Sequence, residues 1–150
     1  MITLKKTTSD AIDFINLIVL LDQDLKIRDG EDHDFYNQFN KTNAIKHVIV
    51  GYENETAAGC GAFREYSPEC VEIKRMFVHP DYRKQGIASQ ILNELERWAA
   101  DLNYTQTILE TGKNQPEAIA LYQKLGYTIT PNYPPYENME NSVCMKKTVS

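Results

Sequence analysis

The chain has 150 residues, 42% apolar and 25% charged, with a formal net charge of −5. That length can bury a full hydrophobic core in one domain, expected over residues 1–150, without disulfide or metal staples. The acidic balance provides no basic face to displace phosphate counterions, and the longest apolar run, Ile15 to Leu21, is broken by Asn16, so neither nucleic acid nor membrane is an expected partner.

Residues 1 to 7 read as a first strand. Ser9-Asp10 can cap a helix to about Leu25, and its apolar Ile12, Ile15, Val19 and neighbours predict deep burial. A second short helix, about Asp32 to Asn40, carries Phe35, Tyr36 and Phe39 at near-helical spacing. Ile45 to Tyr52 and Ala57 to Tyr66 are strands joined by a hairpin turn at Glu53-Asn54-Glu55. Cys70 to Val78 is the next strand. A helix follows from Gly86 to Leu102, its apolar positions 87, 88, 91, 92, 95, 98, 99 and 102 spaced by single helical turns. Tyr104 to Glu110 is a strand, and the next helix has Pro116 in its first turn and Gly126 at its end. Tyr127 to Thr130 and Ser142 to Lys147 are closing strands around a loop rich in Pro and Tyr. A right-handed crossover makes the strands at 70–78 and 104–110 parallel. The expected fold is α/β (α+β): a mixed, mostly antiparallel sheet of six or seven strands with about four helices on both faces.

Cys60, Cys70 and Cys144 are odd in number and lie in strand-like runs, which suits reduced thiols. No signal-peptide core follows the first lysines, so a cytoplasmic location is expected. With no CxxC and only His33, His47 and His79, no metal site is expected.

The segment from Val78 to Ala88 joins strand to helix through His79-Pro80-Asp81-Tyr82-Arg83-Lys84-Gln85-Gly86-Ile87. Such a turn presents backbone N–H groups at a helix N-terminus, where the dipole favours an anion. Gly86 and Ala88 leave room for a phosphate, and Arg83 and Lys84 add cationic donors. A pyrophosphate site and a plain connection with two solvated cations are both compatible with these residues.

Arg83-Lys84-Gln85-Gly86-Ile87-Ala88 fits [Q/R]-x-x-G-x-[G/A], and the segment from Pro116 to Tyr127 fits A-x-x-L-Y-x-x-x-G-[F/Y]. Together, in order and with the right elements between, they resemble the GNAT superfamily of acyl-CoA-dependent N-acetyltransferases over about residues 45 to 130. The resemblance implies acetyl-CoA as cofactor, its pyrophosphate held by the N–H groups of Gln85 to Ala88 with Arg83 and Lys84 nearby. It implies that the strand ending Met76-Phe77-Val78 splays from its parallel neighbour and pairs with the pantetheine arm. An amide near Phe77 or Val78 would then polarise the thioester carbonyl. Tyr122 falls where the family commonly protonates the departing thiolate; its alternative is core packing. Where the family often has Asn before the last helix, this chain has Gln115, with Asn114 one residue earlier as a possible cap.

Glu72, Lys74 and Arg75 interrupt a strand that should be apolar if covered on both faces. They must pair or line a wet cleft. Glu72 lies where some family members carry a catalytic glutamate, which makes it the candidate base; a salt bridge to Lys74 or a neighbouring strand is its alternative. Arg75, Tyr36 and Tyr133 join Glu72 as candidate substrate-binding residues, Tyr133 and Tyr136 as a lid or as a surface loop pinned by prolines. Residues 22 to 34 hold six acids against Lys26 and Arg28, an acidic rim that would attract a cationic amine, or a solvated surface. The expected activity is acetyl transfer to a primary amine of a small molecule, by a monomer or homodimer. The alternative is a non-catalytic acyl-CoA-binding sensor or partner module with the same fold.

Overall fold

The computed structural model describes residues 1–30 and 45–149. Seven strands form one sheet in the order β1-β2-β3-β4-β5-β7-β6. They are β1 (Ile2–Thr7), β2 (His47–Glu53), β3 (Thr56–Ser67), β4 (Cys70–Val78), β5 (Gln106–Gly112), β6 (Thr128–Thr130) and β7 (Ser142–Thr148). Three helices appear among the described residues: α1 (Ile12–Asp29), α2 (Ile87–Asp101) and α3 (Pro116–Lys124). The helix expected at about 32–40, with Tyr36, lies outside the described residues. Every strand pair is antiparallel except β4 and β5.

Strand alternation sorts the core into two layers. Val48, Val50, Cys60, Ala62 and Phe77 face α1, which buries Phe14, Leu17, Ile18 and Leu21 against them. Ile49, Phe63, Val71 and Ile73 face the other way, against Ile87, Ile91, Leu92 and Leu95 of α2. The sequence expectation for α1 is corrected here: Ile12, Ile15 and Val19 are exposed, because the sheet covers one stripe of a helix whose apolar residues spread over more than one face between Ile12 and Leu21. Ser9 does not cap it either. Ala11 is the N-cap, and the Ser9 hydroxyl accepts the Ile45 N–H at 3.1 Å.

The seating of α2 depends on missing side chains. Gly51 and Gly59 face each other across the β2–β3 pair. A Cβ on Gly59 would lie 2.9 Å from the Phe77 carbonyl oxygen and 3.3 Å from Ile87 and Ile91. One on Gly61 would collide with Met76 and Leu95. This bare floor lets α2 lie close on the sheet, and its first turn comes to rest beside the end of β4.

One buried polar group on α2 falls outside the helical apolar pattern. Glu96 accepts the Tyr127 hydroxyl at 2.9 Å and the Lys147 ammonium at 2.8 Å. Since the Tyr127 proton goes to Glu96, the Thr107 hydroxyl donates to Tyr127, at 2.7 Å. Burial first, and Glu96 second, push the Tyr127 phenol far above its ordinary range, so it remains a donor. The network ties α2 to β5, β7 and the start of β6.

Two stability outcomes follow from these contacts. Gly59→Ala should cost about 1–3 kcal/mol, because a backbone oxygen cannot swing aside as a side chain can. Tyr127→Phe should also cost about 1–3 kcal/mol by removing a donor to a buried carboxylate. Urea unfolding of each variant is the measurement; an unshifted midpoint would refute the corresponding contact as a source of stability.

Candidate active site

The two parallel strands pair only at Cys70–Gln106, Val71–Thr107 and Glu72–Ile108, although β4 continues to Val78 and β5 to Gly112. Past Glu72 they diverge and open a cleft, lined by β4, β5, Leu21 and Leu25 of α1, and Tyr122 of α3. Meanwhile β5 stays paired with β7 along its whole length. Past this point the facing edges of β4 and β5 are both without a strand partner among the described residues, and β4 is the one that leads into the turn at Gly86.

A bulge controls what β4 presents there. Lys74 pairs with Ala62 and Phe77 with Cys60, so Arg75 and Met76 together oppose Gly61. Arg75 has φ +59°, an unusual value for a side chain of its size. The extra residue leaves Lys74 and Arg75 both on the α1 side: Lys74 reaches Tyr136, and Arg75 pairs with Asp22 of α1. Met76 returns to the α2 side.

Beyond the bulge, His79 N–H donates to Ala58 O at 2.8 Å, toward β3. Alternation then turns the Val78 N–H and C=O toward the cleft and the Phe77 N–H toward β3. Of the two amides expected to polarise a carbonyl, the geometry leaves Val78 and withdraws Phe77, whose side chain is also buried under α1. The Val78 carbonyl accepts Arg83 Nε at 2.9 Å.

The turn into α2 meets the sequence expectation in form. Gly86 is the N-cap, with φ +79°, no side-chain cap and nothing within 4 Å of where a Cβ would stand. Lys84 also has positive φ. No side chain caps the first-turn N–H groups, and Arg83, Lys84 and Gln85 beside them are exposed. Ile87 contributes only its backbone, since its side chain is in the core. Ala88 is half-buried beside it.

Tyr122 is buried and lines the cleft, its ring edge-on to Tyr127 at 5.9 Å. Burial, with Glu110 nearby, pushes its phenol up to about 12. Gln115 also lines the cleft, whereas Asn114 turns away: its amide donates to Arg28 O at 3.1 Å, and Arg28 returns a bond to Asn114 O at 3.2 Å. Asn114 is thus not the α3 cap. Arg28 also reaches Glu117 at 2.6 Å and Asp24 at 3.2 Å, clasping the end of α1 to the start of α3.

On the α1 side of the cleft lies a polar cluster. Glu72 accepts the Tyr133 hydroxyl at 2.8 Å and has Arg64 at 3.7 Å and Lys74 at 3.9 Å. Burial, followed by Glu72, pushes the Tyr133 phenol far up, so it is a fixed donor to that carboxylate. The loop that supplies Tyr133 is closed on itself by Asn132, whose amide reaches the carbonyls of Tyr136, Met139 and Ser142. Glu110, which the sequence reading passed over, lines the same cleft and accepts the Ser142 hydroxyl at 2.8 Å. Its signal was present: an acid in a central strand raises the same conflict as Glu72. In the acidic run, Asp22 and Asp24 are taken up by Arg75 and Arg28, while Glu31, Asp32 and Asp34 lie outside the described residues. Cys144 is a buried thiol, pushed up to about 11 by burial.

Among the described residues no helix is long and apolar enough to cross a membrane, and no cluster of His, Cys, Asp or Glu could hold a metal. An uncharacterized N-acetyltransferase of Schizosaccharomyces pombe is 31% identical over 105 residues, 69% of this chain and 63% of its own length. The chain spans less than two thirds of the length of the first curated relatives it matches. A Klebsiella pneumoniae protein assigned as an acyl-CoA N-acyltransferase matches in structure with TM-score 0.83 and 27% identity, over 100% of this chain and 99% of that one. A GNAT acetyltransferase from Elizabethkingia anophelis, solved with acetyl-CoA bound, has TM-score 0.68 and 22% identity, covering 98% of this chain and 97% of that one, and so shares the fold. The model of the acetyltransferase (GNAT) family matches residues 16–127, a span that takes in the splayed strands, the turn at Gly86 and the helix of Tyr122. This chain belongs to the GNAT acetyltransferase family.

Proposed function

We propose that the protein is an N-acetyltransferase with acetyl-CoA as donor and a primary amine of a small molecule as acceptor. The observation that carries this reading is the free edge of β4, which leads directly to an uncapped helix N-terminus with room for a phosphate. A strand edge and a cationic turn in that order suit an amide-bearing arm that ends in a pyrophosphate. The N–H groups from Gln85 to Ala88, with Arg83 and Lys84, hold the phosphates in this proposal, and Met76 and Val78 hold the arm.

Acetyl-CoA supplies an activated acetyl thioester. The amine nitrogen bonds to the acetyl carbon and the carbon–sulfur bond breaks. The Val78 N–H, turned to the cleft, supports charge developing on the carbonyl oxygen. Glu72 takes the proton that the amine must lose, directly or through water. Tyr122 gives its proton to the departing sulfur. A phenol near 12 suits that task because the desolvation that weakens it as an acid also makes a thiolate in the same cleft more basic.

Gly86→Asp should abolish acetyl-CoA binding, because it places an anion at the turn, and should cost about 1–2 kcal/mol of stability, because the side chain meets no neighbour but is strained at φ +79°. Calorimetric titration of the folded variant is the test, and unchanged affinity would overturn the assignment of this turn. Tyr122→Phe should lower kcat by about 10-fold or more with little change in acetyl-CoA affinity. With its phenol at about 12, the wild-type enzyme should show no loss of kcat from Tyr122 ionisation below about pH 10. Full activity of Tyr122→Phe would return Tyr122 to core packing. Tight acetyl-CoA binding with no turnover of any amine would favour the non-catalytic module.

A further inference from the structure

Among the described residues, Arg75 of the cleft is the side chain that has buried nitrogens without a hydrogen-bond partner. Its side chain is 2% exposed, and Nη2 meets Asp22, but Nε and Nη1 are buried without a partner. A buried guanidinium N–H left unmade is costly, so an arrangement that holds two of the three nitrogens this way is incomplete without a ligand. The bulge sets Lys74 beside it on the same side of the sheet. Lys74 is also buried, and burial pulls its ammonium below its usual range despite Glu72 nearby. Its ammonium lies 3.4 Å from the Tyr136 hydroxyl and 3.9 Å from Glu72, both long contacts.

We propose that Arg75, supported by Lys74, binds a carboxylate carried by the acceptor, so that the acceptor is an amino acid or a similar amine bearing an acid group. The charges of the cleft are divided in a way that matches such a molecule. Glu72 is the last β4 residue paired with β5, and Arg75 lies three residues further along β4 beside Asp22; Lys74 sits between them, with Glu110 of β5 also near it. A zwitterion can place its nitrogen toward the acids and its carboxylate toward the cations. Of the acidic run at 22–34, Asp22 and Asp24 are paired within the protein, while Glu31, Asp32 and Asp34 lie outside the described residues. This inference rests on the acetyl-transfer reading of the same site and refines it.

The experiment compares amino acids with their own carboxamides and decarboxylated amines as acceptors, in wild type, Arg75→Gln, Arg75→Lys and Lys74→Met. Acetyl-CoA affinity and thermal midpoint are recorded for each variant. Asp22 is about half-exposed and can hydrate when Arg75 is replaced, which favours a folded Arg75→Gln variant. The acid forms should exceed their carboxamides in kcat/KM by about 10-fold or more in wild type. Arg75→Gln should reduce that ratio by about 10-fold or more, and Arg75→Lys by less. Equal efficiency for acid and carboxamide in the wild type overturns the proposal, as does a ratio that Arg75→Gln leaves intact. Loss of acetyl-CoA affinity in Arg75→Gln with an unchanged ratio would assign Arg75 to the donor instead. A preference for succinyl-CoA over acetyl-CoA that Arg75→Gln abolishes would place the carboxylate on the acyl group and overturn the acceptor assignment. Failure of wild type to bind acetyl-CoA would remove both readings; binding without carboxylate discrimination removes only this one.

Discussion

A strand edge has one set of N–H and C=O groups, and it cannot give them both to a neighbouring strand and to a ligand. In this protein β4 meets that constraint by pairing with β5 at three positions and then parting from it. The strand remains anchored on its other edge, where β3 follows it from Ser67–Cys70 to Gly59–Val78. β5 is anchored in turn by β7. The gap is therefore held open by antiparallel ladders on both sides, and the cleft is a consequence of how the sheet is paired.

The two faces of the sheet contribute different things to that gap. On the α2 face the packing is apolar and close, because Gly51, Gly59 and Gly61 provide a floor without side chains. Helix position is thereby tied to strand position, and the uncapped end of α2 is fixed relative to Val78. On the α1 face the sheet near the cleft is polar, with Glu72, Glu110 and Lys74 under the loop of Tyr133 and Tyr136. In the proposed reading the donor site sits against the closely packed apolar face, and the acceptor site sits under loops and helix ends.

Buried charge is the destabilising element of this design. Several kcal/mol accompany each ion taken from water unless partners compensate. Glu72 has a phenol and two cations, and Glu96 has a phenol and an ammonium. The Glu96 group lies between α2 and the sheet, away from the cleft lining, and its bonds are fully accounted for as structural ties. Arg75 differs because its partners are too few for its donors. That contrast is the basis on which Arg75, and not Glu96, is proposed to serve a ligand.

Much of the fold was legible in the residues themselves. The spacing in α2 and the Pro and Gly at the ends of α3 are local signals, and the strands were placed within a few residues by runs of apolar side chains bounded by turns. The two motifs around Gly86 and Tyr122 were also local, since a tight turn and a helix face each depend on neighbours in sequence. The burial of α1 was not legible, because apolar residues on more than one face between Ile12 and Leu21 do not say which stripe the sheet will cover. Nor was the role of Asn114, which is settled by Arg28, 86 residues away. The charges of β4 announced a conflict but not its resolution. Only the bulge opposite Gly61 decides that Lys74 and Arg75 share a face, and only the divergence of β4 from β5 decides which amides meet the cleft. Sequence determines local conformation and the chemistry available at each position; the direction of a side chain or a strand edge depends on pairing between distant segments, which the tertiary structure alone establishes.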